Sequence, residues 1–483
     1  MRLSELMRGQ KPVLKLALPD EDLEVAGLTC DSRAVRPGYV FAALPGAKVD
    51  GREFITQAQD KGAVAVLAPS GTEADIPVIQ DDNVRLRFAQ MAANFYGRQP
   101  EHVAAITGTN GKTSTAAFLS QIWEKLGHKS ATVGTLGVHG SGFEEPGTLT
   151  TPDPVDLHHT LARLADGGVD HLAMEASSHG LEQFRLDGVK VKAAGFTNIT
   201  RDHLDYHGTM EDYFAAKLRL FRDVLLDEGV AVVNADCKDM CKVVEAAELR
   251  GIKVLTFGRA GKDIRVLERF PTGDGQTITF MMGNQDFNVR LPLAGSFQME
   301  NVLCAFGLAV ALGANAKDVA AGVETLEGVP GRLQFVGSVN GASVYVDYAH
   351  TPDALENVLN ALRPHTQNDL HVVFGCGGDR DTGKRPEMGK VATDLADSVI
   401  VTDDNPRSED PATIRKEILA AASGAQDIGD RHTAIVQAVW KLQKGDVLVL
   451  AGKGHEKGQI VGDQVLPFDD VKEAEQAIEE VQA

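Results

Sequence analysis

The chain has 483 residues, which at a prior of ~150 residues per domain suggests about three domains. Apolar residues make up 43% and charged residues 24%, as in ordinary globular proteins. With 48 Lys+Arg against 68 Asp+Glu the net charge is −20, which argues against a general nucleic-acid or anionic-membrane surface. Small anionic substrates remain open, because a few focused cations and a metal overcome the mean field.

No run approaches the roughly 18 apolar residues of a membrane span. Residues 1–16 carry scattered Arg and Lys and lack an apolar signal core. Cys30, Cys237, Cys241, Cys304 and Cys376 are few and odd in number, and are expected to be reduced thiols of a cytoplasmic protein. Cys237 and Cys241 lack a second ligand pair, so no structural zinc is expected.

In chain order, residues 1–88 hold short apolar runs (39–44, 63–68) broken by Pro37-Gly38, Pro45-Gly46 and Ser70-Gly71, as in a small α/β unit. A helix is predicted over 84–96, then buried strands at 102–107, 169–175, 193–199 and 230–234. Helix 112–126 follows the first strand, with Leu119, Ile122, Trp123 and Leu126 on one face and Gly127 as its stop. Alternation at 263–270, 276–282 and 286–291 predicts an antiparallel patch, and helices over 296–312 and 316–326 close the block. The breaker Gly328-Val329-Pro330-Gly331 precedes further strands near 343–347, 370–375, 398–402 and 446–451. The expected domains are therefore 1–88, 89–330 and 331–483, of α/β class, with mainly parallel sheets and ligands at carboxyl strand ends.

The strongest motif is Gly108-Thr109-Asn110-Gly111-Lys112-Thr113-Ser114, lying between a strand and a helix. Glycines let backbone N–H groups approach phosphate, and the helix N-terminus adds its dipole. Lys112 suits the β/γ-phosphates and Thr113 suits Mg²⁺, although G-x-x-G-K-T is two residues shorter than the usual phosphate loop. Glu175 ends a strand, where a second magnesium ligand belongs, and His203 follows another. Lys217 lies in an apolar helical stretch, where a lysine ordinarily snorkels to solvent. Polar groups also leave strands at 347–352, 377–381, 404–407 and 452–456, a plausible zwitterion cleft in which Arg407 recognises an anion. The residues by themselves reach ATP plus a polar small molecule and leave the reaction open.

The set 108–114, 174–180, 198–203, 213–221, Gly331-Arg332, 347–352, 377–380 and 452–456 resembles the Mur ligases of peptidoglycan synthesis. Asp404-Asn405-Pro406-Arg407 resembles the signature of their diaminopimelate-adding branch, and the match runs in order from Asp31-Ser32-Arg33 to Glu456. Cys30 stands where close relatives often carry Leu. The resemblance implies an N-terminal UDP-binding domain, a central P-loop ATPase-like domain and a C-terminal Rossmann-like domain for the incoming amino acid. It implies that Cys30, Ser32, Ala47, Lys48 and Val49 line the uridine side, and that Thr150, Thr151, Ser177, Gln183 and Arg185 hold the muramoyl dipeptide. Gly108, Thr109, Asn110, Gly111, Lys112, Thr113 and Ser114 would bind ATP phosphates, with Asn301, Arg332 and Asp347 toward the nucleoside. Thr113, Glu175, His203 and a carbamylated Lys217 would hold Mg²⁺; Lys112, Lys217, Glu175 and His203 would be catalytic. Arg380, Asp404, Asn405, Pro406, Arg407, Gly452 and Glu456 would grip meso-diaminopimelate.

The implied enzyme is an ATP-dependent acid–amino-acid ligase acting through an acyl phosphate on a UDP-N-acetylmuramoyl dipeptide, with domain closure excluding water. It is expected to be a cytoplasmic monomer with neither nucleic-acid nor membrane partners. A lysine-adding ligase of the same family and a P-loop ATPase that makes no bond are the alternatives.

Overall fold

The structure, a computed structural model, describes residues 1–9, 15–16, 22–46, 49–147 and 149–482. It divides into two compact units, Met1–Phe257 with Cys304–Asn315, and Gly258–Leu303 with Ala316–Ala483. No helix among the described residues is long and apolar enough to cross a membrane.

The first unit opens with a five-stranded sheet ordered Lys15–Leu16, Val78–Gln80, Ala65–Ala68, Tyr39–Ala42, Gly27–Thr29. All of its pairings are parallel except the first. Helix Val84–Tyr96 starts where the Asn83 side chain accepts from the Leu86 N–H and ends at Gly97, whose φ of 70° suits glycine. Its Val84, Phe88, Met91 and Ala92 pack with Leu28, Val40, Leu67 and Ile79 in one core.

In the same unit a second sheet runs Lys253–Gly258, Leu225–Asn234, Val191–Phe196, His102–Thr107, His171–Glu175, Ser130–Gly134, Gly137–Gly140, Phe143–Pro146. The first six strands are parallel and the last two antiparallel. Strands His102–Thr107 and His171–Glu175 are short apolar runs buried on both faces, which is what a helix-covered parallel sheet requires. Chain order reverses beside His102–Thr107, so the carboxyl ends of this strand and its neighbours open onto the crevice where α/β sheets bind ligands. Helix Lys112–Lys125 follows, burying Leu119, Ile122 and Trp123 as its periodicity predicts.

The second unit begins with the antiparallel strands Ile264–Thr272, Gly275–Met282 and Gln285–Leu291. Its main sheet is ordered Gln334–Val339, Ala342–Asp347, Val447–Ala451, Leu370–Phe374, Ser398–Val401, Gln426–Asp427, parallel except for the first pair. Leu355, Leu359, Met388, Ile414 and Ile418 pack into one core, while Ala434, Ile435, Val439, Ala474 and Ala477 form another. Helix Arg431–Lys441 is tied to Asp470–Gln482 by a fully buried ion pair, Arg431 to Asp470 at 2.6 Å.

Several strands have no counterpart among the predicted ones. Gly137–Gly140 and Phe143–Pro146 are short and glycine-bounded, and Gln464–Pro467 is exposed throughout, so no buried apolar run marks them.

Candidate active site

The loop after strand His102–Thr107 is built for close approach. A Cβ on Gly108 would lie 2.0 Å from Thr197 Oγ1, and Gly111 has a φ of 85°. No side chain caps helix Lys112–Lys125, so its first turn presents the uncapped N–H groups that favour an anion. The neighbouring strand exit holds the loop in shape. The Asn198 carbonyl accepts from the Thr109 N–H at 3.0 Å, and the Asn198 side chain accepts from the Asn110 N–H at 2.9 Å. Thr197 donates to the Asn110 carbonyl at 2.6 Å, and Thr109 Oγ1 lies 3.1 Å from the Tyr213 hydroxyl.

Lys217 does not snorkel. It sits in helix Met210–Arg219, 2% exposed, and donates to the Gly108 carbonyl at 2.7 Å while lying over the Tyr213 ring. Burial, and then the charge of Lys112, hold its amine well below the ordinary lysine range. Lys112 folds back onto the loop, donating to the carbonyls of Gly108 at 3.0 Å and Thr109 at 2.9 Å.

Glu175, buried at its strand end, anchors a second network. Its carboxylate accepts from the Thr135 N–H at 2.8 Å and the Thr135 hydroxyl at 3.2 Å, and that hydroxyl meets Thr150 at 3.0 Å. Thr151 donates to the Glu175 carbonyl at 2.9 Å and accepts from the Ser177 N–H at 3.0 Å. Arg185 donates to the Thr151 carbonyl and to the Gln183 side chain, at 2.6 and 2.7 Å. All five residues expected at the muramoyl dipeptide are thus wired to Glu175. A small cavity shared by Thr113, Gly134 and Glu175 adjoins them.

His203 has a φ of 52° and stands edge-on to His179, with ring centroids 4.9 Å apart. Among the uridine-side residues, Ser32 donates to Gln57 at 2.7 Å, while Cys30 and Val49 are exposed. Ala47 and Lys48 lie outside the described residues.

In the second unit Asn301 donates to Gln298, and Gln298 to the Arg332 carbonyl, at 3.1 and 3.3 Å. The buried Asp347 carboxylate accepts from the Leu333 and Ala349 N–H groups at 2.7 and 2.8 Å. Burial pushes it up to about 6 against those hydrogen bonds and the charge of Arg332. Around the last strands, Asn405 donates to Glu456 at 2.8 Å and accepts from the fully buried Lys453 at 3.1 Å. Gly452 brings the backbone against Asp404, since a Cβ there would lie 2.5 Å from Asp404 Oδ2. Pro406 stands between this pair and Arg407, which has a φ of 53° and donates to the Gly378 carbonyl at 2.8 Å. Arg380 is exposed on the same loop as Gly378.

Family models match in succession: the catalytic domain of the Mur ligase family over residues 24–96, the Mur ligase middle domain over 106–309, and the Mur ligase glutamate ligase domain over 331–454. UDP-N-acetylmuramoyl-L-alanyl-D-glutamate–2,6-diaminopimelate ligase from Caulobacter vibrioides is 54% identical, covering 96% of this chain and 97% of its own. The enzyme of that name from Agrobacterium fabrum is 51% identical over 100% and 99%. The chain belongs to the Mur ligase family. A solved structure of a ligase with the same name has a TM-score of 0.78 at 34% identity, covering 100% of this chain and 99% of that one. A MurF ligase from Thermotoga maritima, solved with ADP, shares the fold with a TM-score of 0.59 at 19% identity over 95% and 99%.

In this Mur ligase the residues present suit magnesium. Thr113 and Glu175 offer hard oxygen donors to one cavity, and Gly134, lacking a side chain, leaves room for the Glu175 carboxylate beside it. Sequence reasoning missed Thr135, Tyr213 and Lys453 as members of these networks. Thr135 had no signal except its place after a strand-end glycine, and Lys453 was passed over between two glycines.

Proposed function

We propose that this Mur ligase joins meso-diaminopimelate to the D-glutamyl γ-carboxylate of UDP-N-acetylmuramoyl-L-alanyl-D-glutamate at the expense of ATP, as a step in building peptidoglycan precursors. The observation that carries the reading is the relatives' name, held at 54% identity over 96% of this chain. Arg407 supports it, because a guanidinium held by the Gly378 carbonyl, on the strand exit that also carries Asp404 and the Glu456-bound Asn405, suits an amino acid with a second, distant carboxylate.

The γ-carboxylate attacks the γ-phosphoryl group of ATP in line, giving an acyl phosphate and ADP. The amine of diaminopimelate then attacks the acyl carbon, and the tetrahedral intermediate collapses to amide and phosphate. Lys112 and the N–H groups of 108–114 stabilise charge on the transferring phosphoryl group. Thr113, Glu175, His203 and a carbamylated Lys217 would hold magnesium, which would supply neutralisation of phosphate charge. Lys217 can become that carbamate because its depressed amine is available as the neutral nucleophile for CO2. Arg185, Gln183, Thr150, Thr151 and Ser177 orient the dipeptide. Asn301, Arg332 and Asp347 serve the nucleoside, and Ser32 with Cys30 and Val49 serves the uridine. Arg380, Asp404, Pro406, Gly452 and Glu456 complete the amino-acid pocket. The enzyme works as a cytoplasmic monomer.

Mass analysis of the UDP-linked product after incubation with ATP, Mg²⁺ and either meso-diaminopimelate or L-lysine tests the reading. Addition of diaminopimelate, far faster than of lysine, is expected. Equal rates would sink the specificity, and ADP release without either co-substrate at the full rate would sink the ligase.

A further inference from the structure

At the opposite ends of the strands that carry the phosphate loop and Glu175, the first unit gathers three imidazoles and a carboxylate. His102 and His171 are the first residues of strands His102–Thr107 and His171–Glu175, and they pair in register. Their rings stack at 4.4 Å, and the ring of His128, just beyond the Gly127 stop of helix Lys112–Lys125, lies tilted against His171 at 4.1 Å. Trp123 backs His171 at 4.9 Å. Asp170 lies 2.9 Å from His171 Nδ1 and 4.0 Å from His128 Nδ1.

The backbone fixes this group. The Asp170 N–H donates to the Lys129 carbonyl at 3.0 Å, the His102 N–H to the Asp170 carbonyl at 2.9 Å, and the His128 N–H to the Trp123 carbonyl at 3.0 Å. One ligand atom each from His128, Asp170 and His171 falls within a 4.8 Å span. Ligand atoms of a tetrahedral site with bonds of about 2.1 Å are about 3.4 Å apart, so a modest swing of the half-exposed His128 closes it. Two imidazoles and one carboxylate are the donors of borderline dications rather than of Mg²⁺ or Ca²⁺.

We propose that His128, Asp170 and His171 form a site for a divalent transition metal of the zinc class, at the amino-terminal edge of the sheet and apart from the catalytic crevice, with an open position for water. His171 is buried against Trp123, which fixes its ring beside the half-exposed Asp170 and His128. The cluster of Asp369, His371 and Asp446 is a poorer candidate. The Asp446 carboxylate there already accepts from the Asp369 and Gln443 N–H groups at 3.1 and 2.8 Å.

Zinc binding to the whole protein, followed by competition with a chromogenic chelator at neutral pH in excess Mg²⁺, is the test. One Zn²⁺ per chain is expected, with affinity weakened about tenfold or more in His128→Ala and in Asp170→Asn and unchanged in His371→Ala. X-ray absorption of the zinc-loaded protein needs no variant, and should give nitrogen and oxygen neighbours with imidazole scattering and no sulfur. Sulfur ligation, which would place the metal at Cys237 and Cys241, overturns the proposal. So does zinc binding indifferent to His128 and Asp170, or no stoichiometric binding at all.

Discussion

Lys112 and Lys217 donate to the same acceptor, the carbonyl oxygen of Gly108, at 3.0 and 2.7 Å. Burial first, and then the charge of Lys112 on the same carbonyl, make Lys217 the amine held low. That proximity makes an anionic form of Lys217 worth more than a cationic one beside Lys112, which is the physical case for a carbamate.

Replacing Lys217 tests this pair. Lys217→Ala should lower ligation by about a hundredfold or more, as expected when preorganised charge beside a transferring phosphoryl group is lost. Acetate or formate should restore part of it in a phosphate-release assay. Because only the neutral amine attacks CO2, ¹³C-bicarbonate should label the wild-type lysine, and labelling should fade as pH falls through the depressed value. Full activity of the alanine variant would leave Lys217 a packing residue.

Gly134 guards the Glu175 carboxylate. A Cβ there would lie 2.2 Å from Glu175 Oε1, and Gly134 is not among the positive-φ glycines, so Gly134→Ala acts by displacement alone. The Mg²⁺ concentration needed for half-maximal activity should rise about tenfold, together with a fall in melting temperature from the overpacked site. An unaltered Mg²⁺ titration would remove Glu175 from the metal set.

Arg407 donates to the Gly378 carbonyl, and Gly377 leaves room for its guanidinium, since a Cβ there would stand 2.7 Å from Arg407 Nη1. Arg407→Ala should raise KM for diaminopimelate about 10- to 100-fold, the worth of one or two charge-assisted hydrogen bonds, with KM for ATP unchanged. Gly377→Ala should shift it in the same direction by less. Steady-state kinetics with each substrate varied separates the two KM values.

Acid sensitivity should trace in part to His158 in helix Pro154–Asp166. It is buried, its Nε2 has no hydrogen-bond partner, and burial pushes it down to about 4. The folded state then binds fewer protons than the unfolded one between about pH 4 and 6.5, so stability rises with pH across that window. The full contribution is present above 6.5 and about 3 kcal/mol of it is lost as pH falls through 4. His158→Leu should flatten denaturant midpoints measured across this window; an unchanged slope would assign the sensitivity elsewhere.

The sequence by itself determined the α/β class, because buried strands such as His102–Thr107 and amphipathic helices such as Lys112–Lys125 carry distinct periodicities, one continuous and one 3.6-fold. It also marked the candidate phosphate loop, since glycine, lysine and threonine stand there at fixed local spacing between a strand and a helix. It was silent on the exposed and glycine-rich edge strands, whose pairing depends on a partner and not on burial. Lys217 shows most plainly what only the tertiary structure decided. Its apolar neighbours predict an ordinary snorkelling lysine, yet it reaches a carbonyl 109 positions away in the chain. The wiring of Glu175 through Thr135 to Thr150, across 40 and 15 positions, is of the same kind. A side chain's local pattern sets which element it joins, but its protonation and partners come from groups that only chain folding brings within a few ångströms.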